Sequence, residues 1–350
     1  MNPPKDNVKF AIIGSGAIAE ESYLPAAEMT SNAVISYLVD QDIERAKDVA
    51  QRFQISNFDS DYQEIFGKVD AVVVATPPNS HAQITIDCLN HGLHVLCEKP
   101  LAPTVDQAKN MVETSKRTQT HLGVGMVRRL SWSAKILKKL IDSDLLGDIH
   151  RFDIEEGWEF NWPLRTGHMF QNKSSRGVIE DTGPHLFDLL LWTLGAQQAQ
   201  VMSCKDDNRG GIEANALIEL VVQNSSQKPT GRIELSFTRR LRNTMKFFGE
   251  RGCLEAETVG ANEVFFYPPG QSDDPLTLRP QNPKPSKKNE DFSIQLSNFA
   301  ASILDGSKIY TPADEAIATM SLVEKCYQSR TPIGQPWEMK HLESYFGEKN

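Results

Sequence analysis

Residues 8–20, VKFAIIGSGAIAE, decide how the first half of the chain reads. The mostly apolar run 8–13 suits a strand buried on both faces, and Gly14-Ser15-Gly16-Ala17-Ile18-Ala19 follows with the G-x-G-x-x-A spacing of a dinucleotide-binding turn. Each small residue has its own task. Gly14 permits the tight turn, Gly16 lets main chain approach a pyrophosphate at a helix N-terminus, and Ala19 lets helix and strand pack closely. Any glycine turn between a strand and a helix imitates this motif, so context must decide. A second strand over 34–39 ends in Asp40, 21 residues beyond Ala19, where an acidic side chain takes ribose hydroxyls. The competing use of Asp40 is to cap a helix over 43–53. NAD is expected in preference to NADP: Asp40 repels a 2′-phosphate, Gln41 offers no positive charge, and Arg45 is the one nearby reservation.

The alternation continues with a strand over 69–75, a helix over 80–89, a strand over 94–97 and a helix over 104–118, which predicts a doubly wound parallel sheet. Ligands bind such sheets beyond the C-terminal strand ends, where Thr76-Pro77-Pro78-Asn79 and Glu98-Lys99-Pro100 lie. Lys99 is therefore aimed at the cofactor crevice. The candidate cofactor contacts are Gly14, Ser15, Gly16, Ala17, Ile18, Asp40, Thr76, Pro77, Asn79, His81, Glu98 and Lys99.

After residue 125 the pattern changes. In 230–238, TGRIELSFT, Ile233, Leu235 and Phe237 share a face opposite Arg232, Glu234 and Ser236, as in a sheet with one face on a core. Further strands are expected over 149–156, 200–204, 214–222, 245–248 and 264–267. The proline-rich, polar segment 268–291 reads as a long surface loop, and helices over 292–304 and 312–329 close the chain. The expected fold is α/β: a Rossmann domain over 1–125, then an α+β domain over 126–350 on an open, largely antiparallel sheet, its last helix free to pack back on the first domain.

Composition narrows the function. With 37 basic and 46 acidic residues the net charge is −9, and the basic residues are dispersed, which argues against general nucleic-acid or membrane binding. No apolar run approaches a membrane span and the N-terminus lacks a secretory signal, so a cytoplasmic protein acting on a small molecule is expected. Cys88, Cys97, Cys204, Cys253 and Cys326 lack metal-site spacing and read as reduced thiols. His91 and His94 in HGLH are read as a loop before a strand, since no further ligand lies at suitable spacing. No metal is expected.

The stretch 180–192, EDTGPHLFDLLLW, reads as the opening of a buried helix and raises a different question. Its apolar residues leave little room for a solvent face, yet it carries Asp181, His185 and Asp188, which are costly to bury without partners.

Taken in order, GSGAIAE, ATPPNSH, CEKPLA, the VRR of 127–129, EDTGPHLFD and the closing TPADEA of 311–316 resemble the glucose-fructose oxidoreductase and inositol dehydrogenase family, Gfo/Idh/MocA, over nearly the whole chain. The resemblance implies a Rossmann domain followed by an α/β domain on an open sheet, and oxidation or reduction of a sugar or cyclitol carbon with NAD(H) or NADP(H). It implies that the lysine of E-K-P and the aspartate and histidine of D-x-x-x-H, here Lys99, Asp181 and His185, meet around the reacting carbon. It also implies that Glu98 borders the nicotinamide and that the chain assembles as a homodimer or homotetramer. One departure is Val127, where the family often has a polar residue before the paired arginines.

Hydride removal from a carbinol requires its hydroxyl proton to leave too, so His185 is assigned as base, with Lys99 donating to the same oxygen. A place in the first helical turn opposes an imidazolium, whereas Asp181 or Asp188 favours it. Asp188 either orients the ring one turn away or serves as a cap or the partner of another cation. Arg128, Trp158, Trp162 and Arg165 join Lys99, Asp181 and His185 as candidate substrate contacts, because indole rings stack on sugar faces and arginine suits an anion. The segment 157–168, GWEFNWPLRTGH, is otherwise core or subunit contact. Arg239, Arg240 and Arg242 either meet the phosphates of a nucleotide sugar or form a solvated strand end. Two rival classes stand beside the dehydrogenase: different chemistry on one scaffold, such as a C=C or imine reductase or an oxidation-assisted glycosidase, and a non-catalytic cofactor-binding regulator.

Overall fold

The computed structural model describes residues 7–160, 177–208, 212–224, 227–260, 262–270, 274–281 and 289–334. The first sheet has six parallel strands: β1 (Val8–Ile13), β2 (Ala33–Val39), β3 (Asn57–Asp59), β4 (Ala71–Val74), β5 (His94–Cys97) and β6 (Leu122–Val124), in the order β3-β2-β1-β4-β5-β6. Helices α1 (Leu24–Glu28), α2 (Ile43–Arg52), α3 (Pro78–Asn90) and α4 (Val105–Thr118) cover its faces. Chain order reverses at β1, which lies between β2 and β4 and so opens a ligand crevice at its C-terminal end. Register does the rest. Ile13 lies beside Val39 and Val74, and Val74 beside Cys97, so Gly14, Asp40, Ala75 and Glu98 leave the sheet along one edge.

A 3-10 turn (Val127–Leu130) and α5 (Trp132–Asp142) lead into the second sheet. Its strands are β7 (Ile149–Gly157), β8 (Gln198–Asp206), β9 (Asn215–Gln223), β10 (Thr230–Ser236), β11 (Thr244–Gly249), β12 (Gly252–Glu257), β13 (Val264–Tyr267), β14 (Leu276–Leu278) and β15 (Arg330–Pro332). They run in the order β14-β13-β12-β11-β7-β10-β9-β8-β15; β10 is parallel to β7 and β15 to β8, and the other pairs are antiparallel. One face carries Phe152, Ile154, Ile218, Leu220, Ile233, Leu235 and Phe247 into a core shared with Leu186, Phe187 and Leu190. Each such side chain contributes about 1.5–3 kcal/mol when withdrawn from water.

Several expectations need correction. The segment 268–291 is not wholly loop, because β14 adds an edge strand to the sheet. Helix α5 and strands β3, β6, β12 and β15 were not anticipated; the four strands are short or polar, and their place comes from sheet pairing. The run 180–192 is also not one helix. It divides at Thr182 into α6 (Val178–Asp181) and α7 (Gly183–Thr193), because Pro184 lacks an N–H to donate and fits only a first helical turn.

Helix α8 (Glu290–Asp305) returns to the first sheet, where Phe299 meets Phe10 at 6.3 Å between ring centroids. Helix α9 (Ala313–Ser329) spans both cores. Ala316 and Met320 pack with Val124 and Met126, while Leu322 and Cys326 pack with Cys204 and Leu220. Among the described residues no helix is long and apolar enough to cross a membrane.

Candidate functional site

At the glycine turn, geometry separates the two glycines. Gly14 has φ +100°, and a Cβ there would lie 2.6 Å from the Ala75 carbonyl oxygen, so no side chain fits. A Cβ on Gly16 would meet nothing within 4 Å, which leaves open space against bare main chain. Asp40 closes the turn from the side: its Oδ2 accepts from the Ser15 N–H at 2.8 Å and the Ser15 hydroxyl at 2.7 Å. Asp42, not Asp40, caps α2, accepting from the Arg45 N–H at 3.2 Å. Arg45 turns back on the chain, its Nε donating to the Ser15 carbonyl at 3.0 Å and its Nη2 3.6 Å from Glu20. Gly16, Ala17 and Ile18 are part-exposed along the crevice, opposite Thr76, which accepts from Ser80 Oγ at 2.7 Å, and the exposed Pro77 and Asn79. These residues fit a dinucleotide: open main chain for the pyrophosphate and a carboxylate at the end of β2 for the ribose.

His81 is wholly enclosed, with Nδ1 2.9 Å from the Pro100 carbonyl oxygen and Nε2 2.7 Å from that of Thr76. It braces the crevice from behind and presents no ring nitrogen to it. Glu98 is also enclosed. Its carboxylate accepts from the Tyr23 hydroxyl at 2.7 Å and from the Lys99 N–H at 3.0 Å, and a Cβ on Gly125 would lie 2.6 Å from it. Burial raises the Glu98 pKa, opposed by the Tyr23 hydrogen bond and the Lys99 charge. Tyr23 reaches Glu98 from a π-helical turn (Ala19–Tyr23), a local widening of the kind found near functional sites.

Five side chains converge beside this crevice from separate elements. Lys99 Nζ donates to Asp181 Oδ1 at 2.9 Å and to the Asp181 carbonyl at 3.0 Å, joining the loop after β5 to the end of α6. His185 follows as the third residue of α7. Its Nδ1 is buried without a hydrogen-bond partner among the described residues. Burial, then the charges of Arg128 and Lys99, hold its pKa well below the ordinary imidazole value, so the ring is neutral. Arg128 Nη1 donates to Glu156 Oε2 at 2.5 Å from the 3-10 turn.

Glu156 was missed by sequence reasoning, although a signal for it existed. Phe152 and Ile154 set the inward phase of β7, and Glu156 continues that phase where an apolar residue belongs. Asp188 is not brought to His185. It forms a two-point pair with Arg129, Nε at 2.7 Å and Nη2 at 2.5 Å, and Arg129 also binds Glu315. Of the alternatives for Asp188, the neighbouring cation is what it meets.

Trp158 is part-exposed just past the end of β7, its main-chain N–H donating to the Ser236 carbonyl at 3.2 Å. Trp162, Arg165 and His168 lie outside the described residues. The exposed Arg239 pairs with Glu234 at 2.5 Å and the exposed Arg242 with Glu155 at 3.8 Å, both glutamates being part-buried. His91 stacks on Phe66 at 3.9 Å, and His94 Nδ1 accepts from the His121 N–H at 2.9 Å. Among the described residues no group of three or more His, Cys, Asp or Glu is placed to hold a metal ion.

Comparisons with known proteins agree with the motif resemblance. Residues 8–126 match the family described as "Oxidoreductase family, NAD-binding Rossmann fold" and residues 135–255 the "GFO/IDH/MocA C-terminal domain". Rhizopine catabolism protein MocA of Rhizobium meliloti is 25% identical over 262 residues, covering 74% of this chain and 75% of that protein. Inositol 2-dehydrogenase of Corynebacterium glutamicum is 26% identical over 198 residues, 56% of each chain, so this match spans little more than half of that relative. Levoglucosan dehydrogenase, in complex with NADH and levoglucosan, has the same fold with a TM-score of 0.80 over 92% of this chain and 97% of that one, at 20% identity.

Proposed function

Since the chain belongs to the Gfo/Idh/MocA family of NAD-binding oxidoreductases, we propose that it moves a hydride reversibly between nicotinamide and a ring carbinol of a sugar, free or carried on a nucleotide, or of a related cyclitol. Relatives named as inositol 2-dehydrogenase and glucose-6-phosphate 3-dehydrogenase support this substrate range. The observation that carries the reading is the meeting of Lys99, pinned 2.9 Å from Asp181, with a buried His185 whose Nδ1 has no partner among the described residues. An alcohol being oxidised needs both an acceptor for its proton and a donor to its oxygen.

Gly14, Ser15, Gly16, Ala17, Ile18 and Asp40 would hold the pyrophosphate and ribose, with Thr76, Pro77 and Asn79 along the opposite wall. When bound, NAD supplies the hydride acceptor. The chain's own residues manage the proton and the charge. His185 takes the hydroxyl proton at a ring nitrogen and returns it in the reverse direction, and neutrality before substrate binds is what that task requires. Lys99 donates to the same oxygen as negative charge develops, while Asp181 fixes the ammonium in place. Glu98, bound to Tyr23 and the Lys99 N–H, fixes the loop from which Lys99 projects.

The test mixes protein and NAD with panels of free sugars, sugar acids, cyclitols and nucleotide sugars, and follows the absorbance of reduced nicotinamide. A ring polyol is expected to react. If none does in either direction while an imine or conjugated enone is reduced efficiently, the reading is wrong. All five cysteines are free, in keeping with a reducing cytosolic setting. Assembly as a homodimer or homotetramer through the outer face of the second sheet, where Leu217 and Val221 stand part-exposed, is part of the same proposal. A monomer by light scattering at micromolar concentration would count against it.

A further inference from the structure

Glu156 is a carboxylate in a place built for an apolar side chain. Its side chain has no exposed surface, its Oε2 accepts from Arg128 at 2.5 Å, and its Oε1 has no partner among the described residues. Burying a carboxylate is costly unless the charge is matched and its lone pairs are used. Arg128 matches the charge. The register of the sheet places this residue relative to α7. Glu156 pairs with Leu235 of β10, and a Cβ on Gly183, the first residue of α7, would come 3.8 Å from Leu235 Cδ1. The carboxylate therefore sits beneath the turn that carries His185, and Arg128 acts on His185 by its charge.

Counting charge at this site decides which substrates it suits. Lys99 is paired with Asp181 and Arg128 with Glu156, and the His185 pKa is held well below the ordinary imidazole value, so these five side chains bring no net positive charge to the reacting position. Arg239 and Arg242 of the strand-end cluster are engaged with Glu234 and Glu155. A negatively charged group brought here would lose its hydration and face Glu156 and Asp181 as well as the two cations. A neutral ring, with hydroxyls that both donate and accept, can use the remaining Arg128 N–H groups without that cost.

We propose that Glu156 is a specificity-determining positioning residue, holding and neutralising Arg128 so that the site takes uncharged polyols and rejects their carboxylate or phosphate counterparts. This rests on the reading of the site as one for ring carbinols. It applies to a charge borne on the ring itself, as in the carboxylate of glucuronate, and not to the phosphates of a nucleotide joined through the anomeric oxygen.

The test compares wild type with Glu156→Gln, which keeps the shape of the side chain and removes its charge. The probes are the best neutral sugar or cyclitol from the panel and its matched carboxylate, for example glucose and glucuronate. In wild type kcat/KM is expected to favour the neutral ring by at least about 100-fold, and in Glu156→Gln that ratio should move at least about tenfold toward the acid. The gain should vanish in Arg128→Met/Glu156→Gln. A merely structural role lowers both substrates together and leaves the ratio where it was, and that result, or a wild type that already prefers the acid, overturns the proposal. Glucuronate titrated by calorimetry onto NADH-loaded protein keeps the two readings apart: a tenfold affinity gain in Glu156→Gln without any sugar turnover sinks the dehydrogenase reading and retains the charge assignment. Sugar turnover with no shift in either ratio or affinity does the reverse. Should Glu156→Gln not fold, Arg128→Met alone must sharpen rejection of the acid, because it leaves Glu156 uncompensated; unchanged rejection overturns the proposal.

Discussion

Asp188 gives both carboxylate oxygens to Arg129, at 2.7 and 2.5 Å, although His185 stands only three residues before it. Arg129 and Asp188 are almost completely enclosed, and Arg129 also binds Glu315 of α9. The triad ties the turn between the two sheets to α7 and α9, the helices that frame the site. Removing Arg129 strands the buried Asp188 carboxylate, so Arg129→Met should cost about 3–5 kcal/mol of stability, read by chemical denaturation, and Asp188→Asn, which leaves Arg129 with Glu315, should cost less. Arg129→Met/Asp188→Leu should recover part of that loss. Because Asp188 does not touch His185, the pH profile of turnover in Asp188→Asn should keep its position. A loss below about 1 kcal/mol, or a displaced profile, contradicts this account.

Cofactor preference follows from Asp40 and Arg45. Asp40 is at the turn, held by two hydrogen bonds from Ser15, and Arg45 is turned away onto the Ser15 carbonyl and Glu20. A 2′-phosphate would meet the carboxylate, while the Arg45 guanidinium is held at the Ser15 carbonyl and beside Glu20. Wild type should bind NADH at least about tenfold more tightly than NADPH, and Asp40→Ala should narrow that difference mainly by weakening NADH. Tighter NADPH binding by wild type in a fluorescence titration would overturn the assignment.

The glycine turn, Asp40 and Lys99 were legible in the sequence because a parallel strand, its turn and the next helix are local in the chain, and the sheet then aligns their ends. The joining of Lys99 to Asp181 was legible only through motif resemblance, since 82 residues separate them. Glu156 was legible in principle from the phase of β7. The partner of Asp188 was not, because spacing names His185 one turn away, while the cation that meets it comes from a turn 59 residues earlier. The Tyr23 to Glu98 bond, across 75 residues, has no local signature either. β12 and β14 are held by hydrogen bonds with their neighbours; β12 does alternate, Leu254 and Ala256 inward against Glu255 and Glu257, but the pattern is short and carries only two apolar residues on its inner face.

Acid stability depends on His94, half-buried between β4 and β6. Burial first, then the charge of His121, pushes its pKa down to about 4, with Asp70 opposing. The unfolded chain takes up this proton near the ordinary imidazole value of about 6.5, while the folded protein waits until about 4. The contribution is therefore present above pH 6.5 and lost as pH falls toward 4. Asp291, raised to about 6 by burial, acts in the opposite sense, so the useful quantity is the difference between wild type and His94→Asn. Urea unfolding at pH 7 and pH 4.5 should show that difference moving against wild type in acid. A difference independent of pH would remove His94 from the explanation.

The last prediction concerns the proposed chemistry itself. Lys99 and His185 would act on charge and on a proton that exist only once the alcohol begins to lose its hydride, so their removal should lower kcat far more than cofactor binding. Lys99→Ala and His185→Ala should each reduce kcat by about 10²-fold or more, with NADH titrating nearly as in wild type. The pH dependence separates the two roles. Burial and the charges of Arg128 and Lys99 hold His185 well below the ordinary imidazole pKa, so the acid limb of kcat/KM for oxidation should fall below pH 6.5. In Lys99→Ala one of those positive charges is gone, and the limb should move toward higher pH; in His185→Ala it should disappear. Turnover unchanged in both variants would remove both residues from the mechanism, and an acid limb that stays in place in Lys99→Ala would break the electrostatic link between them.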